Sequence, residues 1–207
     1  MPSSTQWATF LLASFLFIQV PGPSLLFTIG RALTVGRRDA LLSVVGNALG
    51  LAVQGALVAV GLGAVVATSA TAYTAVKLVG AAYVIWLGIQ AVRHRADARQ
   101  AMGMGAPPAR GKPLRIGFVV GATNPKTIVF FAAFLPQFTD PGGPVALQTA
   151  VLALVFAMMA VVSDSVWALL AGQARAWFAR KPTRLDGLSV AGGTMMVGLG
   201  VTMLVRD

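Results

Sequence analysis

Four polar side chains in this sequence stand where an apolar run would be expected: Asp164 in VVSDSVW, Lys126 in TNPKTIVFF, Asn47 in GNALG and Gln19 just before VPGPS. A carboxylate can hold an ammonium group or carry a proton, and a lysine can hold a carboxylate. Beside them lie two sets of helix breakers, Asn124-Pro125 and Pro21-Gly22-Pro23. Proline lacks an amide donor and its ring clashes with the carbonyl one turn back. The residue before it, Asn124 in one case, is pushed out of helical geometry. A break of this kind frees backbone carbonyls and amides, which a membrane interior tolerates only where they meet protein, water or ligand. The helix that restarts after it offers a positive N-terminal end to an anion such as a carboxylate.

Each residue also has a plainer reading. Asp164 can be a structural counter-ion to Lys126, and Lys126 can extend its stem towards the interface. Asn47 and Gln19 can be interhelical hydrogen-bonding groups. Trp167 lies one helical turn from Asp164 and shares its face, either as pocket wall or as packing. Glycines such as Gly46 and Gly50, Gly61 and Gly63, and Gly192 and Gly193 read as helix-contact surfaces.

The composition identifies the surrounding solvent. Of 207 residues 57% are hydrophobic and 11% charged, and Glu and Cys are absent. An ordinary soluble domain carries about 25% charged residues, so the chain is expected in a lipid bilayer. Apolar runs fall at 7–30, 40–67, 72–92, 116–138, 145–172 and 187–205. Each is long enough to cross a hydrocarbon core as a helix, which takes about 20 residues. The first run lacks a basic lead-in and a small-residue cleavage site, so it is expected to stay as a helix.

Basic residues gather in alternate loops: Arg31, Arg37 and Arg38; then Arg93 through Arg115; then Arg175 through Arg184. This is positive-inside patterning rather than a nucleic-acid groove. It places both termini outside and the basic loops in the cytoplasm. At ~1.5 Å per residue, Lys126 then lies roughly 15 Å from its cytoplasmic end, Asp164 and Pro23 about 10–12 Å, Asn47 about 10 Å and Gln19 about 16 Å. Four helices thus bring polar groups to one layer, where a charge normally faces a cavity or a partner.

The expected organisation is a three-helix half over 1–93, a basic linker over 94–115 and a second three-helix half over 116–207. GAAYVIWLGIQAV at 80–92 lines up with GGTMMVGLGVTML at 192–204, and each half opens with a proline-broken helix. Three helices per half make the repeats run in opposite directions, the sequence sign of a secondary transporter. The fold class is therefore an all-α integral membrane protein of six transmembrane helices in two inverted repeats.

PGP in the first segment, GNALG in the second, YVIWLGIQAVR in the third and GATNPKTIVFFAAFLPQF in the fourth resemble the LysE/RhtB family of amino-acid exporters over essentially the whole chain. The resemblance implies a bacterial inner-membrane exporter of amino acids or their derivatives, driven by the proton gradient, with a homodimer among the assemblies it allows. It also implies that Pro21, Gly22, Pro23, Asn124, Pro125 and Lys126 are motif residues and that Asp164 is the acidic group of the fifth helix.

One acid and one base suit a neutral zwitterion such as threonine, homoserine or a branched-chain amino acid. Its carboxylate would meet Lys126 and the amides near Asn124 and Pro125. Its ammonium would meet Asp164 and carbonyls around Pro21 to Pro23, and Asp164 would carry the exchanged proton. The rivals are a membrane-embedded enzyme and a passive small-solute channel. The first lacks an intramembrane His, Glu or Cys to build from, and the second does not need a buried acid and base. No cofactor is expected, and His94 alone in a loop offers no metal site.

Overall fold

The computed structural model describes residues 2–20, 22–68, 70–96, 112–140, 142–181 and 183–205, and all its elements are helical. In chain order they are α1 (Ser4–Gln19), α2 (Pro23–Thr34), α3 (Arg37–Thr68), α4 (Ala70–Arg93), α5 (Pro113–Ala122), α6 (Pro125–Phe134) followed by a 3₁₀ turn (Leu135–Phe138), α7 (Val145–Arg180) and α8 (Thr183–Val205). Within α3 and α7, Arg37–Gly61 and Val145–Ala171 are each long and apolar enough to cross a membrane alone. The pairs α1–α2 and α5–α6, the latter taken through Phe138, bend by 54° and 49° at their breaks and pass the same test as pairs. The described residues therefore contain two spans, or up to four if each bent pair is one. The segments expected at 72–92 and 187–205 are helical, as α4 and α8.

Both breaks fall at the prolines, and the two are finished differently. At the second, Asn124 is extended (φ −70°, ψ 106°), its side chain accepts from the Lys126 amide, and Pro125 opens α6 where no amide is needed. At the first, Gly22 is extended (φ −143°, ψ −176°), gives no side-chain cap, and Pro23 opens α2. Pro21 lies outside the described residues.

The basic loops are shorter than the charge pattern implies. α2 continues through Arg31, which is buried, and stops only at Gly36 (φ +90°), a left-handed backbone that favours glycine. α7 runs on to Arg180, because the chain offers no proline between Val145 and Lys181. Basic residues at 31 and 175–180 thus ride on helices. Of the linker expected at 94–115, positions 97–111 lie outside the described residues, and α5 has begun by Pro113.

α3 shows how the bundle is turned. Leu42, Val45, Leu49, Val53, Leu57 and Val60 form an exposed apolar stripe at helical spacing. Ser43, Asn47, Leu51 and Gln54 face inward and are buried. A helix that shows apolar groups outward and polar groups inward is built for a lipid surround.

Glycine sets how closely α3 meets α5. A methyl group on Gly46 would overlap the Leu114 carbonyl, one on Gly117 the Ser43 carbonyl, and one on Gly121 the Asn47 carbonyl. The two helices lie parallel with their backbones in contact, as small-residue interfaces permit. On the other side α4 and α8 cross antiparallel: Gly88 lies on Gly193, and Gly200 on Ala81 and Ile85. Gly192 packs on Val20, whereas Gly61 meets nothing within 4 Å.

Candidate functional site

The two breaks face one another. Lys126, two residues into α6, reaches across to the end of α1, where its Nζ donates to Phe17 O and Val20 O, each at 3.0 Å. The same nitrogen lies 4.2 Å from the centroid of the Phe17 ring. These carbonyls lie at the C-terminal end of α1, where the backbone carries partial negative charge and a cation is the natural cap; Phe17 O also accepts from the Val20 amide at 3.3 Å. Two of the three ammonium donors are accounted for in this way.

Gly22 makes room for the lysine. A methyl group there would stand 3.1 Å from Lys126 Cδ and 3.5 Å from Nζ. The lysine stem therefore lies directly against the break between α1 and α2.

A second set of bonds holds the α5–α6 break. Asn124 Nδ2 donates to Ser24 Oγ at 2.8 Å, and Ser24 Oγ donates to Asn47 Oδ1 at 3.1 Å. Gln54 Nε2 donates to Ala122 O at 2.9 Å and to Asn124 O at 3.2 Å. Thr127 Oγ1 lies 2.8 Å from Gln54 Oε1 and donates to it. At this break Ala122 O is thereby satisfied by Gln54 of α3, as the Phe17 and Val20 carbonyls of α1 are by Lys126.

Between these groups lies a cavity of about 30 Å³, lined by Phe17, Val20, Gly22, Ser24, Asn47, Asn124, Lys126, Thr127 and Asp164 among others. A water molecule needs about 10–15 Å³ of such space. At this volume the cavity has room for one or two waters and not for an amino acid. Asp164, on α7, is 3% exposed and accepts no hydrogen bond from the described residues. It faces the same cavity as Lys126 without forming a direct ion pair with it.

One end of the cavity is closed by aromatic rings. Phe17 stacks on Phe130 with centroids 3.9 Å apart, Phe130 on Phe134 at 4.5 Å, and Phe134 meets Phe138 at 4.7 Å. Phe156 and Phe10 flank this column, which leads towards Trp7 and the turn after Phe138.

Of the residues singled out in the sequence, Gly22, Asn47, Asn124, Lys126 and Asp164 line the cavity. Pro23 and Pro125 shape the breaks from exposed positions. Gln19 and Trp167 do not line it. Trp167 Nε1 donates to Gln19 Oε1 at 3.1 Å and Gln19 Nε2 to Ser163 Oγ at 2.8 Å, in a separate apolar groove of about 660 Å³ between α1 and α7. Trp167 shares a helix with Asp164, but its ring faces this groove. Sequence reasoning missed Ser24, Gln54, Thr127 and Phe17. Gln54 had a readable signal, since it lies two turns from Asn47 on the same face of α3. The carbonyl contact of Phe17 had none, because it is made by the backbone.

A family model described as LysE type translocator matches residues 15–207. A homoserine/homoserine lactone efflux protein of Salmonella typhimurium is 34% identical over 197 residues, covering 95% of each chain. A membrane protein of Vibrio cholerae is 35% identical over 198 residues, again covering 95% of each. A leucine efflux protein of an Enterobacter species is 29% identical over 132 residues, covering 64% of this chain and 63% of its own. No solved structure matches. With the family pattern extending from α1 to the C-terminal helix, and relatives aligned along nearly their whole length, the chain belongs to the LysE type translocators.

Proposed function

We propose that this protein exports small zwitterionic amino acids, homoserine or a close neutral analogue first among them, across the bacterial inner membrane in exchange for protons. The observation that carries the reading is Asp164. It is a buried carboxylate with no hydrogen bond or direct ion pair among the described residues, and it lines a cavity of water-holding size shared with one lysine. A charge at such depth is costly unless it serves a substrate or an ion. The named relatives support the cargo class, since two are homoserine and leucine efflux proteins.

In this scheme the substrate carboxylate pairs with Lys126 and its ammonium with Asp164, and protonation of Asp164 releases the ammonium. The scheme uses six spans as two inverted repeats, with both termini outside and the basic ends of the helices in the cytoplasm. The contacts between α4 and α8 support the repeat. Under the pairing that matches Gly80 with Gly192, the contact of Gly88 with Gly193 and that of Gly200 with Ala81 exchange with one another. An antiparallel crossing of equivalent helices about a two-fold axis in the membrane plane has this property.

The test is efflux from proteoliposomes loaded with single labelled amino acids, with and without an imposed pH gradient. Saturable efflux of a zwitterion, quickened by the gradient, is the expected result. Flux that neither saturates nor responds to the gradient would mean a passive channel. Efflux confined to dicationic or acidic amino acids would overturn the cargo assignment.

A further inference from the structure

We infer that the end of α1 is a primary-ammonium subsite, and that Lys126 fills it as an internal ligand when no substrate is bound. The inference rests on reading the cavity as the substrate site. Its elements are the carbonyls of Phe17 and Val20, the Phe17 ring 4.2 Å from the ammonium they hold, and Asp164 in the lining of the same cavity. Two convergent carbonyls, an aromatic face and a nearby carboxylate are what an alkylammonium binds: acceptors for its N–H groups, a ring quadrupole under its charge, and a counter-charge.

The lysine already makes the first two of these interactions. Its nitrogen is a primary ammonium on an alkyl stem, as the amino group of an amino acid is a primary ammonium on carbon. While it lies there, the cavity has room only for water. A substrate therefore enters by exchange: its ammonium takes the α1 carbonyls, and Lys126, displaced, turns to the substrate carboxylate. The displaced lysine gains an anion in place of two neutral acceptors, and the substrate ammonium brings a cation to the cavity that Asp164 lines, so the exchange gives each buried charge an opposite one. An internal ligand competes at an effective concentration of order millimolar or above, which keeps the unloaded protein closed without excluding a cytoplasmic amino acid.

Glycine at position 22 is part of the device. It leaves the lysine stem a path along the break, which a methyl group would narrow to 3.1 Å from Cδ.

The experiment uses the purified full-length protein in detergent, with Lys126→Ala to vacate the subsite. Thermal unfolding is followed during titration with ethylammonium chloride, and with tetramethylammonium chloride at equal ionic strength. Ethylammonium is expected to raise the unfolding temperature of Lys126→Ala saturably. Tetramethylammonium has no N–H donors and is expected to leave it unchanged. Wild type is expected to need roughly tenfold more ethylammonium, because its own lysine competes.

If Lys126→Ala does not fold, Lys126→Met retains the stem against Gly22 and lacks only the charged end. It is titrated with ammonium chloride against tetramethylammonium chloride, with the same contrast expected. The inference is overturned if the folded variant responds equally to both cations or to neither, or if wild type responds as readily as the variant. The readout requires no transport. A positive titration without amino-acid efflux leaves the ammonium subsite and removes the amino-acid cargo. Efflux without the titration contrast removes only the subsite.

Discussion

Asn124 donates its side-chain amide to the hydroxyl of Ser24 at 2.8 Å, although the two residues are a hundred positions apart. One stands at the break before α6 and the other in the first turn of α2, so this bond joins the restart points of the two broken helices. The hydroxyl passes the interaction on to Asn47 in α3.

Ser24→Ala is expected to leave Asn124 Nδ2 and Asn47 Oδ1 short of a partner and to cost about 1–2 kcal/mol. The unfolding temperature in detergent should fall accordingly. Efflux should fall with it, because both asparagines line the cavity. Unchanged stability and efflux would mean that water replaces the hydroxyl at no cost.

Gln54 should be less forgiving. Its amide nitrogen serves two carbonyls and its oxygen accepts from Thr127. Gln54→Glu keeps the shape but turns the donor into an acceptor facing two carbonyl oxygens. It is expected to abolish folded protein or efflux, while Gln54→Leu costs about 1–3 kcal/mol for each group left unpaired. Comparable yield and activity in the two variants would show that the donor is dispensable.

Which parts of this arrangement could be read in the sequence follows from the kind of signal each carries. The breaks were legible because Pro125 and Pro23 act through covalent geometry, whatever surrounds them. Asp164 and Lys126 stood out because a charge in an apolar run is rare. The expectation that set Lys126 against a substrate carboxylate did not include the carbonyls of Phe17 and Val20, since a backbone group leaves no trace in residue type. Gln19 and Trp167 were grouped with Asp164 by depth and helical face. The rotation of α1 and α7 about their axes, which places these two in the neighbouring groove, depends on packing between distant segments. Helix ends were overrun at Thr34 and Arg180, because basic residues allow a helix to continue and only Gly36 and the Lys181-Pro182 sequence mark a stop.

Asp164→Asn should separate coupling from folding. Among the described residues the carboxylate accepts no hydrogen bond and forms no direct ion pair, so the variant is expected to unfold at the same or a higher temperature. Its efflux in proteoliposomes should no longer respond to an imposed pH gradient. Gradient-driven efflux at the wild-type rate would assign the proton to another group.

Two glycines make a matched pair of packing tests. Gly121→Ala places a methyl group into the Asn47 carbonyl, so α3 and α5 must separate and carry a cavity residue with them. A loss of about 1–3 kcal/mol or more is expected from such overpacking, with reduced efflux. Gly61→Ala, in the same helix as Asn47 with nothing within 4 Å, should be neutral or stabilising by up to about 1 kcal/mol. Similar unfolding temperatures for the two variants would contradict the close approach of α3 and α5.

The unequal finish of the two breaks bears on how such a bundle can flex. The joint between α5 and α6 is gripped by Gln54, Asn124 and Ser24 and pressed onto α3 through backbone contacts at Gly117 and Gly121. The joint between α1 and α2 has an uncapped glycine, and beyond the lysine no side-chain donor to its Phe17 and Val20 carbonyls is seen among the described residues. The α5–α6 elbow is clamped on both sides, whereas at the α1–α2 elbow Ser24 anchors the start of α2 and, among the described residues, Lys126 supplies the side-chain hold on the carbonyls that end α1. A bundle so built would work as a hinge with a fixed leaf and a swinging leaf, with Gly22 as its pin.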